Sequence, residues 1–118
     1  MNLVQGVEMI EDTIKRIELV LKSSKGLSQE KRDKLNNLLS VLKSEVLSLS
    51  TTNHEEANSI AKFTELSTHE ATKAKQNKQL LNLSLEGLKK SVEEFEVSHP
   101  QLVKNINDFS LTLAGMGI

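Results

Sequence analysis

Apolar residues in this chain recur at alternating spacings of four and three positions, the pattern that lines one face of an α-helix, and strand-like alternation is found nowhere. The first stripe, Leu3, Val7, Ile10, Ile14, Ile17 and Leu21, is unbroken, and mostly charged residues stand between its members. Val4 and Val20 widen it beyond a narrow coiled-coil seam, which predicts a place in a bundle with more than one neighbour. Leu35, Leu39, Leu42, Val46 and Leu49 repeat the spacing, as do Leu81, Leu85, Leu88, Val92 and Phe95, and finally Leu102, Ile106, Phe109, Leu113 and Met116. The fold class is therefore all-α: four or five amphipathic helices over about residues 3–23, 29–50, 54–75, 78–97 and 99–114, in one domain.

The boundaries follow from capping chemistry. Ser23-Ser24-Lys25-Gly26 ends the first helix, with Gly26 placed for a left-handed C′ conformation. Ser28 is a candidate N-cap for the second, and so short a connection predicts an antiparallel hairpin. Asn53 and Glu56 have capping-box spacing for a third helix with a weaker face of Ala57, Ile60, Ala61, Phe63, Leu66, Ala71 and Ala74. From Ser67 to Lys78 periodicity nearly vanishes. Either that helix ends near Lys75 and Asn77 caps a fourth, or one solvated helix runs to Phe95; the break is the preferred reading. Gly6 and Gly87 read as tolerated interruptions. The last joint has the most punctuation. Ser98 with Gln101 fits a capping box, Val97 with Leu102 fits a hydrophobic staple, and Pro100 falls in the first turn. His99 is expected to order this turn. Together Val97, Ser98, His99, Pro100, Gln101 and Leu102 form a candidate structural joint.

Composition removes several chemistries. Fifteen Lys and Arg against sixteen Asp and Glu leave no surplus for a polyanion. With no Cys, thiol catalysis and cysteine-based zinc sites are excluded, and three Phe without Trp or Tyr are too few to line an aromatic pocket. No Gly-rich phosphate loop and no Gly-x-Ser-x-Gly elbow is present. The acidic pairs Glu55-Glu56 and Glu93-Glu94 point in divergent directions from a helix and read as solvated faces. Three His invite a metal reading, yet the Glu-x-x-His spacing occurs only from Glu96 to His99, across a helix break. Glu65 and His69 share a face without a second such pair, so a metal-binding bundle enzyme built on them is an alternative, not the first reading. Lys73, Lys75 and Lys78 lie in an acid-free run. A weak nucleic-acid contact there is a further alternative, disfavoured by the absence of aromatic and Arg partners. No catalytic residue, metal or cofactor is expected.

FEVSHPQL, followed by a Leu-Ala-Gly-Met-Gly-Ile ending and preceded by THEATK and LEGLKKSVEEFE, resembles a family of small uncharacterised bacterial all-helical proteins with a Phe-Glu-x-x-His-Pro-x-Leu joint and a Met/Leu-Gly-Ile terminus. The resemblance spans about residues 54–118 and implies a bacterial cytoplasmic protein without bringing any activity. Its members often carry Pro where this chain has Lys78, which implies a helix start at Asn77.

No basic leader precedes an apolar run and no stretch is apolar for long enough to span a bilayer, so a soluble cytoplasmic protein without a membrane partner is expected. Each strict stripe needs a neighbour, and Leu38, Val41 and Leu47 spread apolar surface beyond the main stripe of the second helix. The expectation is a non-enzymatic association module, a homodimer whose pairing completes the bundle, with Leu38, Val41 and Leu47 as candidate interface; an unidentified protein partner is the other occupant considered.

Overall fold

The structure is a computed structural model that describes residues 3–117, with side chains from Gly6 to Met116. The stripe positions Leu3 and Val4 and the terminal Ile118 lie outside those described side chains. Five α-helices follow in order: α1 (Leu3–Ser23), α2 (Gln29–Ser50), α3 (His54–Thr72), α4 (Lys78–Val92) and α5 (Pro100–Ala114). Short 3-10 turns, Glu93–Phe95 and Gly115–Gly117, follow α4 and α5, and no strand occurs among the described residues. The chain is all-α. The strict stripes bury as spaced: Ile10, Ile14, Ile17 and Leu21 on α1, Leu35, Leu39, Leu42, Val46 and Leu49 on α2, and Leu102, Ile106, Phe109 and Leu113 on α5 enter one core.

The helix with the weakest stripe is the one on which the others converge. α3 packs against α1, α2, α4 and α5, and besides Ala57, Ile60 and Ala61 it buries Thr64, Ser67, Thr68, Glu70 and Ala71. Small side chains let four neighbours approach closely. A buried hydroxyl without a partner costs about 1–3 kcal/mol; the threonines of α3 meet that demand internally, whereas the buried Ser67 hydroxyl has no partner. Thr64 Oγ1 donates to the Ile60 carbonyl, Thr68 Oγ1 to that of Thr64 and Thr72 Oγ1 to that of Thr68, each at 2.8 Å. Polar side chains therefore occupy core positions, and Leu66 and Ala74, expected on the buried face, are exposed instead.

Gly87 is no tolerated interruption. A Cβ there would stand 2.4 Å from Cε1 and 2.8 Å from Cδ1 of Phe63, so α4 meets α3 through a glycine-sized gap filled by a ring. Gly6 likewise faces the His54 ring, with 2.9 Å between an added Cβ and Cδ2. For Gly87→Ala the expected outcome is a net loss of stability: overpacking costs about 1–3 kcal/mol, which outweighs a helix-propensity gain of about 1 kcal/mol. In a Phe63→Leu background the same change should raise the melting temperature. Equal effects in the two backgrounds would show that the ring does not occupy that gap.

Two expected caps form and two do not. Ser28 Oγ accepts from the Lys31 amide at 3.2 Å and Asn77 Oδ1 from the Leu80 amide at 3.1 Å, so α3 and α4 are separate helices. α3 stops at Thr72, short of Lys75, and the Gln76 side-chain amide bonds the Ala71 carbonyl at 3.1 Å. At the last joint the Ser98 capping box is replaced by a start one residue later. Pro100 disfavours helical geometry in the residue before it, so His99 (φ −137°, ψ 63°) becomes the N-cap and makes no side-chain capping bond. The Ser98 hydroxyl lies 3.0 Å from His99 Nδ1. Val97 is 95% exposed while Leu102 is fully buried, so no staple closes between them. His99 makes its contacts with Phe95 instead. Its ring stands edge-on to Phe95 at 5.7 Å and its amide bonds the Phe95 carbonyl at 2.8 Å. α4 also ends at Val92, and the 3-10 turn carries Phe95 into the core.

The joint before α3 repeats this geometry. Asn53 (φ −133°, ψ 62°) makes no capping bond and its amide reaches the Leu49 carbonyl at 2.8 Å, while Thr52 Oγ1 donates to Asn53 Oδ1 at 2.9 Å. An expected consequence is that Ser98→Ala shifts stability by less than about 0.5 kcal/mol, the range of an exposed substitution, whereas a true N-cap loses about 0.5–2 kcal/mol. Thermal melting of Ser98→Ala beside Ser28→Ala distinguishes the two.

Gly26 does not turn left-handed, since no glycine among the described residues has a positive φ. The end of α1 is held instead by Arg32 of α2. Nη1 bonds the Leu21 carbonyl and, at 3.2 Å, that of Lys22; Nη2 bonds Ser24 and Leu27 carbonyls at 3.1 and 3.0 Å.

Candidate functional site

The second helix is not where free apolar surface lies. α2 has three neighbours, α1, α3 and α5, and Leu38 and Leu47 pack against the core of their own chain. Val41, 43% exposed, is left alone. The candidate interface Leu38, Val41 and Leu47 is thus largely consumed within the bundle, and for that reason does not form a free patch.

A different face does. The Phe63 ring against Gly87 fixes the register of the α3–α4 hairpin. One turn onward along α3 stands Leu66, one turn back along α4 stands Leu83, and a further turn back stands Leu80. These three leucines are 45%, 63% and 45% exposed. On the other side of the Phe63–Gly87 contact the two helices enclose an open groove whose rim carries Glu55, Glu56, Lys90 and Glu94. The face is therefore polar in a directional sense. Leucine knobs, with Glu86 beside Leu80 and Leu83, lie toward the α3–α4 connection, and a groove edged by Glu55, Glu56, Glu94 and Lys90 lies toward the opposite end.

The other sequence candidates are engaged or isolated. Glu65 accepts from Arg16 Nε at 2.6 Å and Nη2 at 3.3 Å, and this bond leads the causes that raise the Arg16 pKa above its ordinary value. His69 is exposed, and among the described residues no group of three or more His, Asp or Glu is arranged to hold a metal ion. Of the three lysines, Lys73 pairs with the buried Glu70 carboxylate at 2.8 Å; Lys75 and Lys78 are exposed. A groove of about 540 Å³ at the end of the bundle is bordered by Lys31, Lys73, Gln76 and Met116. Its cations are already taken, Lys73 by Glu70 and Lys31 by the Gly115 carbonyl at 3.3 Å, so it reads as a seam between helix ends. No described helix is long and apolar enough to cross a membrane.

The residues of the α3–α4 face that sequence reasoning missed were hidden by strictness elsewhere. Leu80 and Leu83 flank the regular stripe of α4 and drew no notice beside Leu81, Leu85 and Leu88. Spacing does mark them, because Leu80, Leu83 and Gly87 follow one another at three and four positions.

No curated protein and no solved structure matches the chain. Residues 35–118, from α2 through the C-terminus, match the family described as Domain of unknown function (DUF4404). With most of its length matched, and the late helices and the His99 joint inside that span, the chain belongs to this family.

Proposed function

We propose that this protein is a non-enzymatic association module that pairs with copies of itself through the α3–α4 face. The observation that carries this reading is the row of exposed leucines, Leu66, Leu80 and Leu83, on two adjoining helices, whereas the other exposed large apolar side chains among the described residues, Leu19, Val41, Val97 and Leu111, are spread over α1, α2, the last joint and α5. Contiguous apolar surface of this kind marks association sites, whereas scattered single residues do not. The chemistry these leucines offer is burial.

The energy sets the expected strength. Covering an exposed leucine contributes about 1.5–3 kcal/mol, so about half of that applies to side chains already half covered. Six such leucines from two copies amount to roughly 6 kcal/mol, near the low end of the ~4–15 kcal/mol that association costs. Leucines alone support weak pairing, and contacts around them must set the affinity.

Sedimentation over roughly 1 μM to 1 mM, which corresponds to net pairing free energies of about 8 to 4 kcal/mol, is the test. A species of twice 13.1 kDa is expected for the wild type, and Leu83→Glu should return it to the single-chain mass without changing its melting temperature, since Leu83 contributes little to the core. A 13.1 kDa species throughout for the wild type would remove the proposal.

A further inference from the structure

Resting on that reading, we infer that Phe63 and Gly87 are positioning residues for self-pairing: the ring seated on the glycine holds α3 and α4 at the spacing where Leu66, Leu80 and Leu83 form one continuous surface. The seam between these helices is built from small side chains around a single ring. Ser59 and Ser91 stand together in the groove beside Phe63 and Gly87. Four positions onward from Phe63 comes Ser67, and three positions back from Gly87 comes Ser84, both buried. Helix spacing therefore sets these two in the same seam. The distance between packed helices follows the side chains at their contact, so glycine and serine bring the backbones close and the ring limits the approach.

The leucines border this seam. Leu66 precedes Ser67 and Leu83 precedes Ser84, so each is turned about 100° around its helix from a buried serine. Their helices run in opposite directions, as the residues of the groove show, and the two leucines lie at one level, a turn from the Phe63–Gly87 contact. How near they stand depends on how near the helices stand. An added methyl at residue 87 has no room. Built on the glycine, a Cβ would lie 2.4, 2.8 and 3.1 Å from Cε1, Cδ1 and Cζ of Phe63, where carbons in contact need about 3.5–4.0 Å. Either the ring rises out of the seam or the helices part. Both outcomes separate Leu66 from Leu83, and a two-fold pair carries the change twice. No leucine is altered, which distinguishes this effect from that of Leu83→Glu.

Sedimentation of four chains at 25 °C tests the assignment: wild type, Gly87→Ala, Phe63→Leu and Phe63→Leu/Gly87→Ala, each shown by circular dichroism to be folded at that temperature. Beside the phenylalanine, the added methyl should weaken pairing at least about tenfold, as expected when half-covered leucines lose contact in both copies. In the Phe63→Leu background the gap is open, and the same methyl should tighten pairing instead. The double variant should then pair within about threefold of wild type, the coupling of two residues that act as a unit. If Gly87→Ala pairs as tightly as wild type while Leu83→Glu dissociates, the positioning role is wrong and the association face stands. Equal weakening in both backgrounds overturns it as well. So does a folded double variant that stays single, because the ring would then be touching the partner. Should Gly87→Ala fail to fold, the two chains with Phe63→Leu decide by the same sign. A wild type that does not pair removes both the positioning role and the face.

Discussion

Ile60→Asp is expected to leave little folded protein at 25 °C. Ile60 is fully buried on α3, the helix that touches the other four, so no rearrangement of one neighbour brings water to a carboxyl there. The loss of the side chain and the cavity it leaves cost about 2–5 kcal/mol, and an unpartnered buried polar group adds about 1–3 kcal/mol. A domain of this size has about 5–15 kcal/mol in total. Ionising the acid is worse than keeping its proton, so raising the pH should lower any remaining stability. Circular dichroism gives the answer directly: a cooperative melt near the wild-type temperature would mean that α3 is not at the centre of the bundle.

Removing the guanidinium that holds the end of α1 should have the next largest effect. Arg32 reaches four carbonyls, those of Leu21, Lys22, Ser24 and Leu27, from the first turn of α2. The last carbonyls of a helix lack partners within it, and a hydrogen bond from a charged donor contributes about 1.5–3 kcal/mol. Because the side chain is half-buried, water takes over some of these carbonyls, and Arg32→Ala is expected to cost about 2–3 kcal/mol, or roughly 10 °C in melting temperature. Arg32→Lys should recover only a small part, since an ammonium is a point charge where the site uses a planar fork. Two variants that melt together with wild type would leave the α1–α2 connection without a clasp.

Legibility in the sequence followed the kind of residue involved. Stripes of Ile, Leu and Val located α1, α2, α4 and α5, because burial of branched side chains is what periodicity registers. α3 escaped the same measure. Apart from Ile60 and Glu70 its buried positions are Ala, Ser and Thr, and Thr64 and Thr68 satisfy their hydroxyls on carbonyls of their own helix, so composition that reads as solvated is core. Asn77 and Ser28 cap as their positions imply. Ser98 does not, although the reason was also in the sequence: a proline at position 100 excludes His99 from a helical first turn, and the cap moves to His99. Arg32 and Gly87 lay beyond local reasoning altogether. An arginine reads as a clasp only when the end of another helix is known to lie beside it, and a glycine reads as a socket only when a ring is known to enter it. The same holds for surface. Which leucines remain exposed depends on how many neighbours each helix acquires, so Leu38 and Leu47 turned out covered while Leu66, Leu80 and Leu83 did not.

The convergence of four helices on α3 also bears on the order in which the chain acquires its structure. Hairpins such as α1–α2 and α3–α4 join segments adjacent in sequence, and elementary steps of that kind finish within microseconds. The ties that lock them together are remote: Arg16 to Glu65, the Asn105 amide to the Leu38 carbonyl and Lys31 to the Gly115 carbonyl span 49, 67 and 84 positions. Entropy must be spent on closing those long loops before their contacts contribute. The slow step is therefore expected to be the closing of these long loops around a central helix that has little apolar surface of its own. Until it is surrounded, the threonine-rich helix has the weakest reason of the five to stay helical.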